Sequence, residues 1–151
     1  INEEKGIETV KENECTVDLN ISAYIPERYI ESLPARLGIY KRIASVSTDE
    51  ERADVIDELC DRFGEPPKTV MGLIDIALLR NRASQIGIYE INEDKNGIIL
   101  RVNAVHEQQL DKLNTLGKRM YLSADTKPFY FIKALPGQSH TALIAEIASV
   151  L

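Results

Sequence analysis

TDEERADVIDELCDRFG, residues 48–64, reads as one complete helix with both of its ends written into the sequence. Thr48 followed three places on by Glu51 has the capping-box form, in which each side chain accepts from the other residue's free backbone N–H. Helical spacing runs from Asp49 to Phe63, and Gly64 stops it, because helices commonly end on a left-handed residue and glycine enters that region without steric cost. At helical rotation the faces separate. Ala53, Ile56, Leu59, Cys60 and Phe63 fall on one side, the expected buried face. Asp54, Asp57, Glu58 and Asp61 fall on the other at i, i+3, i+4 and i+7, with Arg62 beside them. Like charges at these spacings repel by roughly a few tenths of a kcal/mol per pair. The stripe is therefore either a solvated face or a docking face for a basic partner, whose arginines would meet the carboxylates bidentately.

Upstream, Pro34 to Val46 carries helical spacing with Leu37, Tyr40 and Ile43 on one side. Pro34 suits a first turn, where its missing N–H is not needed. A short turn through Tyr29 and Ile30 precedes it. From Cys15 to Ile25 the period is two, with Val17, Leu19, Ile21 and Ala23 pointing one way and Thr16, Asp18, Asn20 and Ser22 the other. That predicts a half-buried strand ended by Pro26. Residues 1–15 read as an inter-domain linker or as a first strand.

Downstream, Pro66 and Pro67 restart the chain into a long helix. Val70, Leu73, Ile74, Ala77 and Leu78 mark its apolar stripe, it runs to about Ile86, and Gly87 terminates it. The period then shifts to short strands at Ile88–Asn92 and Gly97–Val102, joined as a hairpin by the turn Asp94-Lys95-Asn96. A helix over His106–Leu116, strands at Arg119–Ser123 and Phe129–Lys133, and a last helix from Gln138 complete the chain. The fold class is α+β: after the N-terminal strand a helical half, 16–87, followed by a strand-rich half, 88–151, with a small, mostly antiparallel sheet and packed helices.

The formal charge of −6 over 151 residues opposes general affinity for a phosphate backbone, which depends on clustered Lys and Arg releasing counterions. No apolar run approaches the roughly 20 residues of a membrane span, and no signal-peptide pattern opens the chain. The chain begins at Ile1, which reads as a piece of a longer polypeptide. Cys15 and Cys60 have neither C-x-x-C spacing nor a histidine beside them, so both are expected reduced, in the cytosol.

The search for chemistry returns little. Gly117-Lys118 lacks both the upstream glycine and the following Ser or Thr of a phosphate-cradling loop. His106 and His140 stand outside any metal or catalytic spacing and read as solvated or capping residues. The acidic stripe lies on an exposed face, where carboxylates ionise normally. The expectation is a domain that is not an enzyme and takes no cofactor or metal. Arg36, Lys41 and Arg42 on one helix, Arg80 and Arg82 on another, and Arg28 are the basic candidates. Without interleaved aromatics they carry only a weak nucleic-acid signal. An accessory domain contacting DNA through Arg36, Lys41, Arg42 and Arg80 is the alternative reading. Tyr24, Tyr29 and Tyr40 are spaced for packing rather than base stacking.

Several motifs in order carry a resemblance. Ala23-Tyr24-Ile25-Pro26, then Tyr29-Ile30, Arg36, Tyr40-Lys41-Arg42-Ile43, Glu58-Leu59-Cys60-Asp61-Arg62-Phe63-Gly64, Pro67, Leu79-Arg80, Ala83 and Gly87-Ile88 follow one another over residues 16–90. This series resembles the C-terminal domain of bacterial transcription-repair coupling factors, whose pattern includes Y-I-P, Y-K-R and E-L-x-D-R-F-G. Cys60 stands where that family tends to have an aliphatic residue, a mild change for a buried site. The resemblance implies a parent that is an ATP-driven translocase on double-stranded DNA, acting on stalled RNA polymerase and recruiting the damage-recognition protein UvrA. It implies that this domain is a regulatory clamp on the parent's UvrB-like N-terminal module, masking UvrA binding and restraining the motor. Carried over by motif, Glu58, Asp61 and Arg62 would face that module, and Asp54 and Asp57 extend the same stripe. Phe63 and Gly64 read as helix-ending fold determinants.

Overall fold

The computed structural model describes residues 15–151. The expectation of a linker or strand over residues 1–14 lies outside them. In chain order the elements are β1 (Thr16–Asp18), α1 (Leu33–Ala44), α2 (Asp49–Phe63), α3 (Lys68–Gln85), β2 (Ile88–Asp94), β3 (Gly97–Val102), α4 (Glu107–Leu113), a 3-10 segment (Asn114–Arg119), β4 (Met120–Ser123), β5 (Phe129–Lys133) and α5 (His140–Val150). The class is α+β, as the periodicities indicate. The sheet has the order β1-β2-β3-β5-β4. It is antiparallel except for β1, which lies parallel to β2. A parallel pair cannot be closed by a hairpin, and here the chain through α1, α2 and α3 provides the crossover.

The first strand is shorter than its period-two pattern. Only Thr16–Asp18 joins the ladder, and residues 19–25 continue as extended chain. The alternation persists beyond the ladder: Leu19, Ile21 and Ala23 are half-buried while Asn20, Ser22 and Tyr24 are exposed. Period two reports an extended backbone with one side covered, whether or not a neighbouring strand completes the pairing. Scattered partners hold this segment instead. Asn20 N–H donates to Glu93 Oε1 at 2.7 Å, Tyr24 N–H to the Thr69 carbonyl at 3.2 Å, and Ile25 N–H to Tyr40 Oη at 2.8 Å.

One core runs through both halves. Leu59, Ile74, Leu78 and Leu79 from the helices join Ile91, Leu100, Tyr130 and Ile132 from the sheet and Leu143 and Ile147 from α5. In α1 the sequence grouped Leu37 with Tyr40 and Ile43, but the helix turns Ile39 and Ile43 inward and leaves Leu37 56% exposed.

Polar fasteners tie the layers. Arg52 Nε donates to the largely buried Asp75 at 2.8 Å, locking α2 to α3. Gln109 is fully buried: its Oε1 accepts from Tyr130 Oη at 2.9 Å and from His106 N–H at 3.0 Å, and its Nε2 donates to the Ile86 carbonyl at 2.8 Å. Every polar atom of that amide has a partner, as a buried amide requires. Burial pushes the Cys15 thiol up to about 12 despite nearby Arg80, so it stays protonated.

Candidate interaction surface

Both ends of α2 form as its sequence requires. Thr48 Oγ1 accepts from Glu51 N–H at 3.0 Å, and Glu51 Oε1 accepts from the N–H groups of Ser47 at 3.0 Å and Thr48 at 3.1 Å. These bonds, those from Ser47 foremost, hold the Glu51 carboxyl below its ordinary range. At the other end Gly64 takes φ 86°, the left-handed region.

The inward face of α2 differs from the sequence assignment. Val55 and Leu59 are buried, with Ile56 and Phe63 half-buried, whereas Ala53 and Cys60 are exposed. The helix is rotated so that the Val55–Leu59–Phe63 line meets the core, which carries Ala53 and Cys60 round to solvent. Cys60 is therefore a surface thiol beside Asp57 and Asp61, not a buried replacement for an aliphatic residue.

The carboxylate stripe divides in two. Asp54, Asp57 and Asp61 are exposed and have no ion-pair or hydrogen-bond partner among the described residues. Glu58 lies toward α1, paired with Arg42 across the helices and accepting from Arg62 Nη1 at 2.8 Å one turn along. Arg62 also lies over the Phe63 ring, 4.8 Å from its centroid. A guanidinium held over an aromatic face gains cation–π attraction. Phe63 in turn packs against Tyr29 with ring centroids 5.9 Å apart, and Tyr29 Oη donates to the Gly64 carbonyl at 2.7 Å. Burial raises the Tyr29 pKa, which keeps that hydroxyl a donor.

Most of the basic candidates are engaged inside the domain. Arg36 Nη1 donates to the Ile30 carbonyl at 2.8 Å, Arg42 pairs with Glu58, and Arg80 Nη2 donates to the Ala44 carbonyl at 3.3 Å. Arg82 reaches the Ser47 and Ala148 carbonyls at 3.2 and 2.8 Å. Lys41 and Arg28 are exposed. His106 caps α4 through its backbone. His140 is not solvated: it opens α5 against Glu93, which is drawn below its ordinary range, against the opposing effect of burial, by bonds from His140 and Asn20.

Among the described residues no group of three or more His, Cys, Asp or Glu is arranged to hold a metal ion. Asp49 and Asp75 share a hollow of about 220 Å³, but each faces an arginine, Arg82 at 3.2 Å and Arg52 at 2.8 Å. Paired in this way they are fasteners. No helix of the described residues is long and apolar enough to cross a membrane.

The sequence profile of the TRCF domain matches residues 19–113. The chain belongs to the TRCF domain family. It is 36% identical over 122 residues to the transcription-repair-coupling factor of Bacillus subtilis (strain 168), covering 79% of this chain and 10% of that protein. Against the transcription-repair-coupling factor of Escherichia coli (strain K12) it is 36% identical over 97 residues, 64% of this chain and 8% of the relative. The chain thus spans about a tenth of the length of the curated relatives it matches. A crystal structure described as the C-terminal domain of transcription-repair coupling factor superposes with a TM-score of 0.69 at 21% identity, covering 91% of this chain and 94% of that one. At that identity the likeness establishes the fold.

Within this TRCF domain, the motif residues Glu58 to Gly64 can be sorted by what they touch. Leu59 is core, Glu58 and Arg62 pair, Phe63 meets Tyr29, and Gly64 ends the helix. Asp61 and Cys60 face solvent. Sequence reading missed Arg42 as the partner of Glu58, since only packing of α1 on α2 brings residues 16 apart into contact.

Proposed function

We propose that this chain is a non-catalytic regulatory module of a DNA-translocating transcription-repair coupling factor, and that it docks through the outward face of α2. The observation that carries the reading is Asp61. It is the one charged side chain of the E-L-x-D-R-F-G motif that nothing among the described residues uses, and it shares its face with the equally unpartnered Asp54 and Asp57. The helix beneath them is held by Arg52–Asp75 and by the Arg42–Glu58–Arg62 cluster, so the carboxylates are presented on a rigid element.

The partner this face suits is a basic surface, and the reading assigns it to the UvrB-like N-terminal module of the parent. Arginines there would receive the three aspartates as charge-assisted pairs. A single exposed pair contributes at most about 1 kcal/mol. Several partly desolvated together set register, and losing one partner of a buried pair costs about 2–5 kcal/mol. Docked, the domain covers the UvrA-binding surface and restrains the motor; engagement of RNA polymerase releases it. The parent's motor domains contact DNA, and the setting is the cytoplasm. Arg62 belongs to the rim of this surface and Glu58 positions it.

The test is the charge reversal Asp57→Arg/Asp61→Arg in the full-length parent. Increased UvrA binding and increased ATPase-driven translocation are expected, and unchanged values for both would overturn the reading. Glu58 is a poorer target, because an arginine there would face Arg42 and Arg62 and disturb the fold itself. The alternative, duplex DNA bound through Arg36, Lys41, Arg42 and Arg80, is disfavoured by the engagement of three of the four inside the domain.

A further inference from the structure

A second surface, on the opposite element type, has the opposite charge. Along β5 the side chains alternate: Tyr130 and Ile132 are fully buried, while Phe129, Phe131 and Lys133 point away from the helices. The register sets Arg101 and Ser123 on either side of Phe129, and Ile99 and Tyr121 on either side of Phe131. Tyr121 is 60% exposed. Ile99, Tyr121, Phe129 and Phe131 stand apart from the hydrophobic side chains that form or flank the core. Two of the three phenylalanines of the chain therefore sit on an outward sheet face.

The charge around them is segregated. Between residues 112 and 133 the chain carries Lys112, Lys118, Arg119, Lys127 and Lys133 against a single carboxylate, Asp125, although its net charge is −6. Lys112 and Arg119 are held by the Leu151 carbonyl and by Glu146. Lys118, Lys127 and Lys133 are exposed and have no carboxylate partner among the described residues. Arg101 Nε donates to Asn92 Oδ1 at 2.7 Å, which steers its guanidinium to 5.9 Å from the Phe129 centroid. The acids of this sheet face, Asp18, Glu90 and Asp94, lie on β1 and β2, outside the three strands that carry the rings, with Glu90 in register beside Arg101.

We infer that the outward face of β3, β5 and β4, with Phe129, Phe131 and Tyr121 flanked by Arg101 and Lys133, binds single-stranded nucleic acid by base stacking. Aromatic residues two apart on one strand and across to its neighbour are spaced roughly 5–7 Å, a separation that successive unpaired bases can follow. Every base has a π-face, so such a platform tolerates any sequence, and adjacent cations track the backbone. A duplex keeps its base faces inside its own stack, so the rings gain nothing from it. A protein partner is the less suited occupant, because the cores of protein interfaces are depleted in lysine.

The experiment is fluorescence anisotropy with the 151-residue chain and a labelled oligothymidylate of about twelve nucleotides, within the length one such sheet platform engages. At low salt it is expected to bind, with affinity falling as salt rises. An abasic strand of equal length keeps the phosphates and loses all the bases, and it is expected to bind roughly a hundredfold more weakly, the loss of about two stacked bases. Phe131→Leu and Tyr121→Leu keep an apolar strand surface and should each weaken the thymidylate roughly tenfold, about one stacked base, with an unchanged circular dichroism spectrum. No binding of the thymidylate at low salt, equal affinity for the abasic strand, or full affinity in both leucine variants would each overturn the proposal. The first of these would leave the face to a protein partner.

Discussion

The helical half and the strand-rich half use charge differently. In the helical half most arginines are engaged as fasteners: Arg36 on the carbonyl of Ile30, Arg52 on Asp75, Arg80 on the carbonyl of Ala44, and Arg42 and Arg62 on Glu58. Their carboxylate neighbours Asp54, Asp57 and Asp61 are left facing water, and the outside of α2 is acidic. In the strand-rich half one guanidinium is gripped by a carboxylate, Arg119 by both oxygens of Glu146 at 2.8 Å, while Lys118, Lys127 and Lys133 remain outside. A net charge of −6 therefore does not make every face acidic. What decides the character of each face is which side of each ion pair the fold has already engaged.

The sharpest way to break this comparison is to test inner against outer positions of α2. Leu59→Ala should lower stability by about 3 kcal/mol, the usual range for a fully buried leucine. Asp57→Ala should stay within about 0.5 kcal/mol. Urea unfolding checks both, and comparable losses would mean that α2 is rotated differently. In the strand-rich half Gln109→Leu should cost about 2 kcal/mol, because it leaves Tyr130 Oη, His106 N–H and the Ile86 carbonyl without partners. The same urea midpoints measure it.

Smaller effects sharpen the contrast. Glu146 is held at about 2, mainly by the bond from Arg119 and next by that from Gln138. Its folded value lies below its unfolded one, so its contribution is complete above the unfolded pKa of about 4.3 and is lost as pH falls toward 2. The carboxylate is a third exposed, and with that screening the contribution is about 1 kcal/mol. Wild type and Glu146→Gln should therefore differ at pH 7 and converge near pH 2 in thermal melts. Smallest of all, Glu58→Gln should cost no more than about 1 kcal/mol, and Asp61→Asn nothing measurable. A clear loss from Asp61→Asn would reveal an intradomain partner and remove Asp61 from the docking face.

Much of the fold is legible from local signals. Thr48 with Glu51, Gly64, the Pro66-Pro67 pair and Gly87 place helix ends within a residue or two of where they occur, because capping and left-handed glycine act over one turn of chain. The hairpin of β2 and β3 follows from its turn and its periodicity. The acidic stripe is legible as a stripe, but not its division into one fastener and three unpartnered aspartates. Nothing local distinguishes Glu58 from Asp57. Gln109 gave no signal at all, since a glutamine on a short helix reads as solvent-facing until Tyr130 arrives from a strand 21 residues away.

The sequence by itself determined where most of the helices and strands begin and end, the α+β order, and the family. These depend on interactions within a few residues or on motifs read in line. Tertiary structure alone decided that residues 19–25 stay outside the ladder, that Val55 rather than Cys60 enters the core, that Arg42 reaches Glu58, and that Phe129 and Phe131 face outward beside lysines. Each of these is fixed by which surface an element meets. That contact is made between residues far apart in the chain, where periodicity carries no information.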